Sequence, residues 1–236
     1  MKNIVMLQRT VVSLNTDKNS PGINMSAELF LQFLSEASKH HAIGLKSFGV
    51  FLSPLHSSEY SPNNVIFCNS KENRRNSPDN RAVFEAQGAY FRKHDDAGFV
   101  ADSKDMLHID ETAHHLRSVP VGLFHSHRRQ PANFSLVDYK LHNPLFPWHL
   151  VISLSDPEHP VVQVFLVEKS FDDFGLEADN FIEDEGELPY DGFEVKTARL
   201  LVEGTAQQVD EVKSMLYYNK FYSLAQVNRL SLISDK

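Results

Sequence analysis

The run VPVGLFHSH, residues 119–127, constrains this chain more than any other stretch. Its apolar opening reads as a strand buried in a sheet, and it ends in two histidines one residue apart. Side chains alternate across a strand, so His125 and His127 share one face while Ser126 takes the other. A helix follows in SLVDYKLHN. It starts at Ser135 and carries Asp138 one turn further on. Two imidazoles and a carboxylate leave a fourth tetrahedral position for water, which is the pattern of a catalytic rather than a structural metal. With Cys68 the single cysteine, neither an internal disulfide nor a thiolate cage is open to the chain. Any metal must be held by histidine and carboxylate, and a reducing compartment is the default. The competing reading is structural, because Ser135 and Asp138 are also what a helix start favours, a cap and an acid in the first turn.

Upstream, Ser26 predicts the N-cap of an amphipathic helix over SAELFLQFLSEASKH. Met25 and Phe30 stand at the two positions of a hydrophobic staple. KSFGVFLSPL reads as a buried strand. From His56 to Asn80 the abundance of Ser, Asn and Pro predicts an exposed insertion, and AVFEAQGAYFRKH a helix. GFVADSKDMLHID suggests two short strands about a turn, and DETAHHLRS a helix capped by Asp110. HLVISL and VVQVFLVE are two further strands joined by SDPEHP. Residues 1–14 suggest a leading strand, TDKNSPGIN a loop, and the segment after Phe193 a strand, a helix and one more element. Strands interleaved with helices indicate an α/β or α+β layer structure.

At 236 residues there is room for one sizeable domain or a core domain with an appendage. The expected division is an N-terminal strand or extension over 1–25, a principal domain over 26–170, and an acidic linker with a C-terminal appendage over 171–236. Glu177, Asp179, Glu183, Asp184, Glu185 and Glu187 make that linker a solvated segment. A net charge of -8 argues against nucleic acid as a partner, since phosphate binding needs clustered Lys and Arg. No stretch reaches the roughly 20 apolar residues of a membrane helix. Gln8 and Arg9 break the opening apolar run before it matches a signal peptide, so the expected location is cytoplasmic.

The pattern H-S-H, seven residues, Ser, two residues, Asp, on a strand followed by a helix, resembles the JAMM (MPN-plus, or JAB) zinc metallopeptidases. The order of elements from about Ser26 to Glu168 is similar to theirs as well. The resemblance implies a sandwich built on a curved mixed sheet flanked by helices. It implies Zn2+ held by His125, His127 and Asp138, an activated water, and Ser135 steadying the oxyanion. It also implies a substrate, a ubiquitin-like modifier or sulfur-carrier protein of ubiquitin fold, cut after its C-terminal Gly-Gly. Compact bacterial members are the nearest in plan.

One position departs from the family. Its members carry a glutamate three residues before the glycine of the G-V-F strand, where it shuttles the proton of the attacking water; here that residue is Lys46. A lysine accepts a proton at pH 7 only if its pKa falls by about three units, which burial beside a dication promotes. The alternative is a catalytically impaired binding or scaffold protein. Glu28 and Glu36, on the first helix, are not obviously placed to substitute. Arg128 is a candidate grip for an acidic tail or terminal carboxylate. Trp148, with Phe146 and Pro147, is a candidate wall for an extended peptide, although such a cluster is more often core.

Overall fold

Period-two burial splits the central strand into two working faces. In β5 (Ser118–His127), Phe124 points into the main core, whereas Leu123 packs in a second cluster on the other side. β6 (Trp148–Ser153) repeats the division, with Trp148, Leu150 and Ile152 in the main core and Val151 opposite. The computed structural model describes residues 10–13, 21–68, 101–170, 195–217 and 232–233.

The remaining strands are β1 (Thr10–Ser13), β2 (Gly22–Ser26), β3 (Phe48–Pro54), β4 (Asn64–Phe67), β7 (Val161–Val167), β8 (Val195–Gly204) and β9 (Leu232–Ile233). The described strands form one nine-stranded mixed sheet in the order β4-β3-β5-β6-β7-β8-β1-β9, with β2 also on β8. Four helices accompany it among the described residues: α1 (Ala27–Ala42), α2 (Ser103–His115), α3 (Leu136–Leu141) and α4 (Ala206–Tyr217). The fold is α+β, in line with the alternation of periodicities.

α1 covers the main-core face. Ser26 caps it by accepting from the Leu29 N–H at 3.1 Å, and Phe30, Phe33, Leu34 and Ala37 follow the 3.6-residue period into the core. Phe33 meets Phe124 edge-on at 5.1 Å and Phe51 at 5.4 Å. Beneath them Trp148 lies flat across Gly122, where an added Cβ would stand 2.3 Å from the indole. Gly49 is forced in the same way, its absent Cβ falling 2.0 Å from the Ile66 carbonyl oxygen.

β5 and β6 are parallel, His125 pairing with Val151. A parallel neighbour cannot be reached by a tight turn, so the chain leaves the end of β5 and travels back before entering β6. α3 lies on that return.

Several expectations need correction. Residues 22–26, read partly as loop, form β2, because Ile23 and Met25 alternate into the core while the strand pairs in parallel with β8. Within the expected insertion, Asn64–Phe67 is a strand paired with β3. From residue 103 on, the expected strands are a helix: α2 starts at Asp102 rather than Asp110, through a capping box with Asp105, and buries Asp105, Ile109 and Ala113 at four-residue spacing. The described strands run across the expected divisions of the chain. β2 and β8 share one sheet with the rest, and Ile23, Met25, Leu200, Val202 and Val212 enter the main core. The expected helix over 82–94, the insertion beyond residue 68 and the acidic stretch 177–187 lie outside the described residues. Among the described residues no helix is long and apolar enough to cross a membrane.

Replacing Gly122 by alanine forces a methyl against a fully buried indole. The expected loss is at the upper end of roughly 1–3 kcal/mol, read as a lower urea midpoint at unchanged m-value.

Candidate metal centre

His125 and His127 are both buried at the end of β5. Their Nε2 atoms lie 2.9 Å apart. Asp138 comes down on them from α3, with Oδ1 3.2 Å from His125 Nε2 and Oδ2 4.0 Å from His127 Nε2. The three side chains form the one group among the described residues able to hold a metal ion. A tetrahedral divalent ion with bonds of about 2.0–2.2 Å keeps its ligand atoms roughly 3.3–3.6 Å apart; the separations of His125 Nε2 from His127 Nε2 and from Asp138 Oδ1 lie near that value, and ligand atoms of all three groups lie within 4.8 Å of one another.

The hydrogen bonds behind the imidazoles set their chemistry. His127 Nδ1 lies 2.6 Å from the Pro131 carbonyl oxygen. A carbonyl only accepts, so Nδ1 carries the proton and Nε2 of the neutral ring is a lone pair. His125 reaches a carbonyl through two further histidines. His142 Nε2 donates to the Phe146 carbonyl at 2.8 Å, which leaves His142 Nδ1 to accept from His149 Nδ1–H at 3.1 Å. His149 Nε2 then accepts from His125 Nδ1–H at 2.7 Å. Both ligand rings therefore turn an Nε2 lone pair toward the same point, beside a carboxylate. Two lone pairs 2.9 Å apart repel one another, and a shared cation reverses the sign of that interaction. The donor set fits a divalent metal.

Ser135 serves Asp138. Its N–H and its hydroxyl both donate to Oδ2, at 2.8 and 2.6 Å, and the Asp138 N–H donates back to Ser135 Oγ at 3.1 Å. This capping box holds the carboxylate with Oδ1 toward His125. The hydroxyl proton is thereby committed to Asp138 rather than to a substrate oxygen. Lys169 secures the far end of α3 by donating to the Tyr139 and His142 carbonyls at 2.8 and 3.0 Å.

The register of β3 on β5 bears on Lys46. Phe48 pairs with His125, and one step on, Ser126 N–H donates to the Ser47 carbonyl at 2.8 Å while Ser47 N–H donates to Ser126 Oγ at 2.7 Å. Continuing the antiparallel register sets Lys46 across from His127, and directly opposed residues share a face. Glu28 and Glu36 belong to α1, which covers the other face, and Glu36 there pairs with Lys39 at 2.9 Å.

One expected substrate contact lies elsewhere. Trp148 is a core residue, 0% exposed, with its indole N–H donating to the Glu59 carbonyl at 2.9 Å, so it cannot line a groove. Arg128 sits at the C-terminal end of α1, with Nη2 3.8 Å from the Cβ position of Gly44 and close enough to His41 to help burial lower that imidazole's pKa. A cation suits that helix end. His142 and His149 were missed by sequence reasoning. The available signal was His149 itself, an imidazole inside an apolar strand two residues before Val151, hence on the face that β6 shares with His125.

Burial pushes the His142 pKa down from 6.5 to about 4; the Phe146 carbonyl opposes that shift and the Lys169 charge reinforces it. His149 lies well below the ordinary range, first through burial and then through His125 and His142. Phe134 seals the pair, with ring centroids 5.1 Å from His149 and 6.1 Å from His142.

Fold and site together define an α+β protein with a candidate divalent-metal centre where a strand runs out beneath a short helix. The sequence matches no family model, and no curated protein matches it. Solved structures do. A protein from Desulfitobacterium hafniense is 18% identical, with 76% of this chain and 91% of that one covered and a TM-score of 0.47. One from Salinibacter ruber is 16% identical, with 64% and 84% covered and a TM-score of 0.40. A JAB1/MPN domain protein from Archaeoglobus fulgidus is 13% identical, with 59% and 86% covered and a TM-score of 0.31.

The lowered His142 pKa carries a pH signature. Above pH 6.5 the ring is neutral in both states; between 6.5 and about 4 the unfolded chain takes up a proton that the folded protein refuses. Stability is thus full above pH 6.5 and lost as pH falls, by on the order of 3 kcal/mol from this group. In urea titrations of metal-free protein, His142→Gln is expected to lose about 2 kcal/mol less than wild type between pH 7 and 4.5.

Proposed function

We propose that the chain is a zinc-dependent peptidase or isopeptidase of the MPN/JAMM type, acting on the amide bond that follows the C-terminal Gly-Gly of a ubiquitin-fold carrier or modifier in the cytoplasm. One observation carries the reading: two Nε2 lone pairs, each fixed by a backbone carbonyl, converge with the Asp138 carboxylate on one point. A divalent ion held there supplies acidification of water to a pKa near 7 and polarisation of a carbonyl. The protein's own part is to hold and orient. His125 and His127 offer neutral nitrogens and Asp138 a negative oxygen. Ser135 occupies Oδ2 so that Oδ1 stays turned inward. The substrate class is the one implied by the resemblance of the H-S-H and S-x-x-D pattern to the MPN/JAMM peptidases.

A second reading has its own observation. Continued by two residues, the β3–β5 register brings Lys46 across from His127, and Lys46 holds the sequence position at which the peptidases resembled here carry a glutamate. A protonated lysine there cannot take the proton that the reaction releases. The chain then becomes a protein that binds the same carrier tail without cutting it.

Metal analysis of protein purified without added zinc is expected to give close to one ion per chain. A carrier-protein fusion bearing a C-terminal Gly-Gly-X extension is expected to be cut by wild type, to be spared in the presence of chelator, and to be cut at least about 100-fold more slowly by Asp138→Asn. A silent wild type beside an active Lys46→Glu establishes the binding reading instead.

A further inference from the structure

His142 and His149 are not among the three side chains whose ligand atoms converge, yet both are almost wholly buried. A buried polar ring without a partner is costly, and both nitrogens of each of these rings are partnered, in a chain that runs from the Phe146 carbonyl to His125. We propose that they are positioning residues of the metal centre: a relay of two non-ligand imidazoles that carries the acceptor character of the Phe146 carbonyl to His125 and locks that ligand in the tautomer whose Nε2 lone pair faces His127 and Asp138. The proposal rests on the reading of His125, His127 and Asp138 as a metal site.

The lock is needed because the local surroundings favour the wrong tautomer. Asp138 Oδ1, 3.2 Å from His125 Nε2, is an acceptor and attracts a proton onto the very nitrogen that must bind metal. Reversal of the relay has no place to end. A proton on His125 Nε2 leaves His125 Nδ1 and His149 Nε2 as two acceptors 2.7 Å apart, unless His149 changes tautomer too. That change puts two acceptors at 3.1 Å between His149 and His142. Turning His142 in its turn sets a lone pair against the Phe146 carbonyl at 2.8 Å, and a carbonyl has no proton to give. Every stopping point holds one repulsive contact in a buried site, where it costs most, whereas the repulsion left in the locked state, between the Nε2 atoms of His125 and His127, is the one that a bound cation removes. Phe134 keeps out the water that would relieve it, being itself buried against both rings.

The two ligands thus obtain the same setting at different depths. His127, at the rim, reaches the Pro131 carbonyl directly. His125, two residues deeper, lies between β3 and β6, whose neighbouring carbonyls are engaged in the ladder. Its carbonyl has to be brought in from the loop after α3, and the relay spans the distance. His142 also ends α3 and its carbonyl accepts from Lys169, so the helix that carries Asp138 and the orientation of His125 meet at one residue.

The first test needs no substitution. Two-bond 1H–15N correlation spectra of metal-free wild type at pH 7.5 are expected to show His125 and His149 protonated on Nδ1 and His142 on Nε2. In His142→Leu the acceptor for His149 is gone; affinity for Co2+ or Zn2+, measured against a competing chelator, is expected to fall about 10–100-fold, and the Nδ1–H signature of His125 to become mixed. His142→Gln, which keeps one donor for Phe146 and one acceptor for His149, is expected to restore both readouts. A wild-type spectrum with His125 protonated on Nε2, or unchanged metal affinity in His142→Leu, overturns the relay. Failure of wild type to bind either ion overturns the metal centre itself.

Discussion

A carbonyl oxygen accepts hydrogen bonds and never donates one, and the chemistry of this protein follows from where two such atoms stand. Pro131 fixes His127 directly, and Phe146 fixes His125 through His142 and His149. Had either ring met a donor instead, its Nε2 would carry a proton and the triad would be an ordinary hydrogen-bonded cluster. The centre is therefore specified by main-chain geometry outside the strand as much as by the ligands on it.

The sheet makes this possible by separating its two faces. On one side α1 packs phenylalanines against Phe51, Phe124 and Trp148. On the other, alternate residues of β5 and β6 supply His125, His127 and His149, and the parallel pairing of those strands obliges the chain to return across them. That return brings Asp138 and His142 within reach. Close packing on the first face leaves the strands little freedom to shift, which suits ligand atoms that must meet within a few tenths of an ångström.

The three candidate ligands, which the structure brings together, were legible because each lies in a segment with a strong local signal. A run of apolar residues marks β5, and alternation makes its two histidines share a face. A capping pattern marks α3 and so sets the place of Asp138. α1 was legible for the same kind of reason, through Ser26 and the spacing of its phenylalanines. Elements whose pattern comes from long-range pairing were not. β2 is short and polar on alternate residues, and becomes a strand only beside β8; β4 depends likewise on β3. α2 was misread because Met106 and Leu107, its most visible apolar pair, are exposed, while its inner face is built from Asp105, Ile109 and Ala113. His142 was hidden because nothing local distinguishes a histidine that ends a helix from one that completes a relay. Trp148 was open to two readings, core or groove wall, and the core one holds: the indole fills the space left by the missing side chain of Gly122.

The pairing of β2 with β8 has a consequence for how the chain acquires its shape. Met25 lies beside Val202, and α1 follows directly from β2. An emerging polypeptide thus completes its first helix's surroundings only after almost all the rest has been synthesised. Contacts so remote in sequence slow folding, since a long loop must close before they form. Until β8 arrives, the phenylalanines of α1 have only part of their cover, and β7 presents a bare edge of the kind that pairs with strangers. The last third of the polypeptide therefore governs when the first third becomes safe from aggregation.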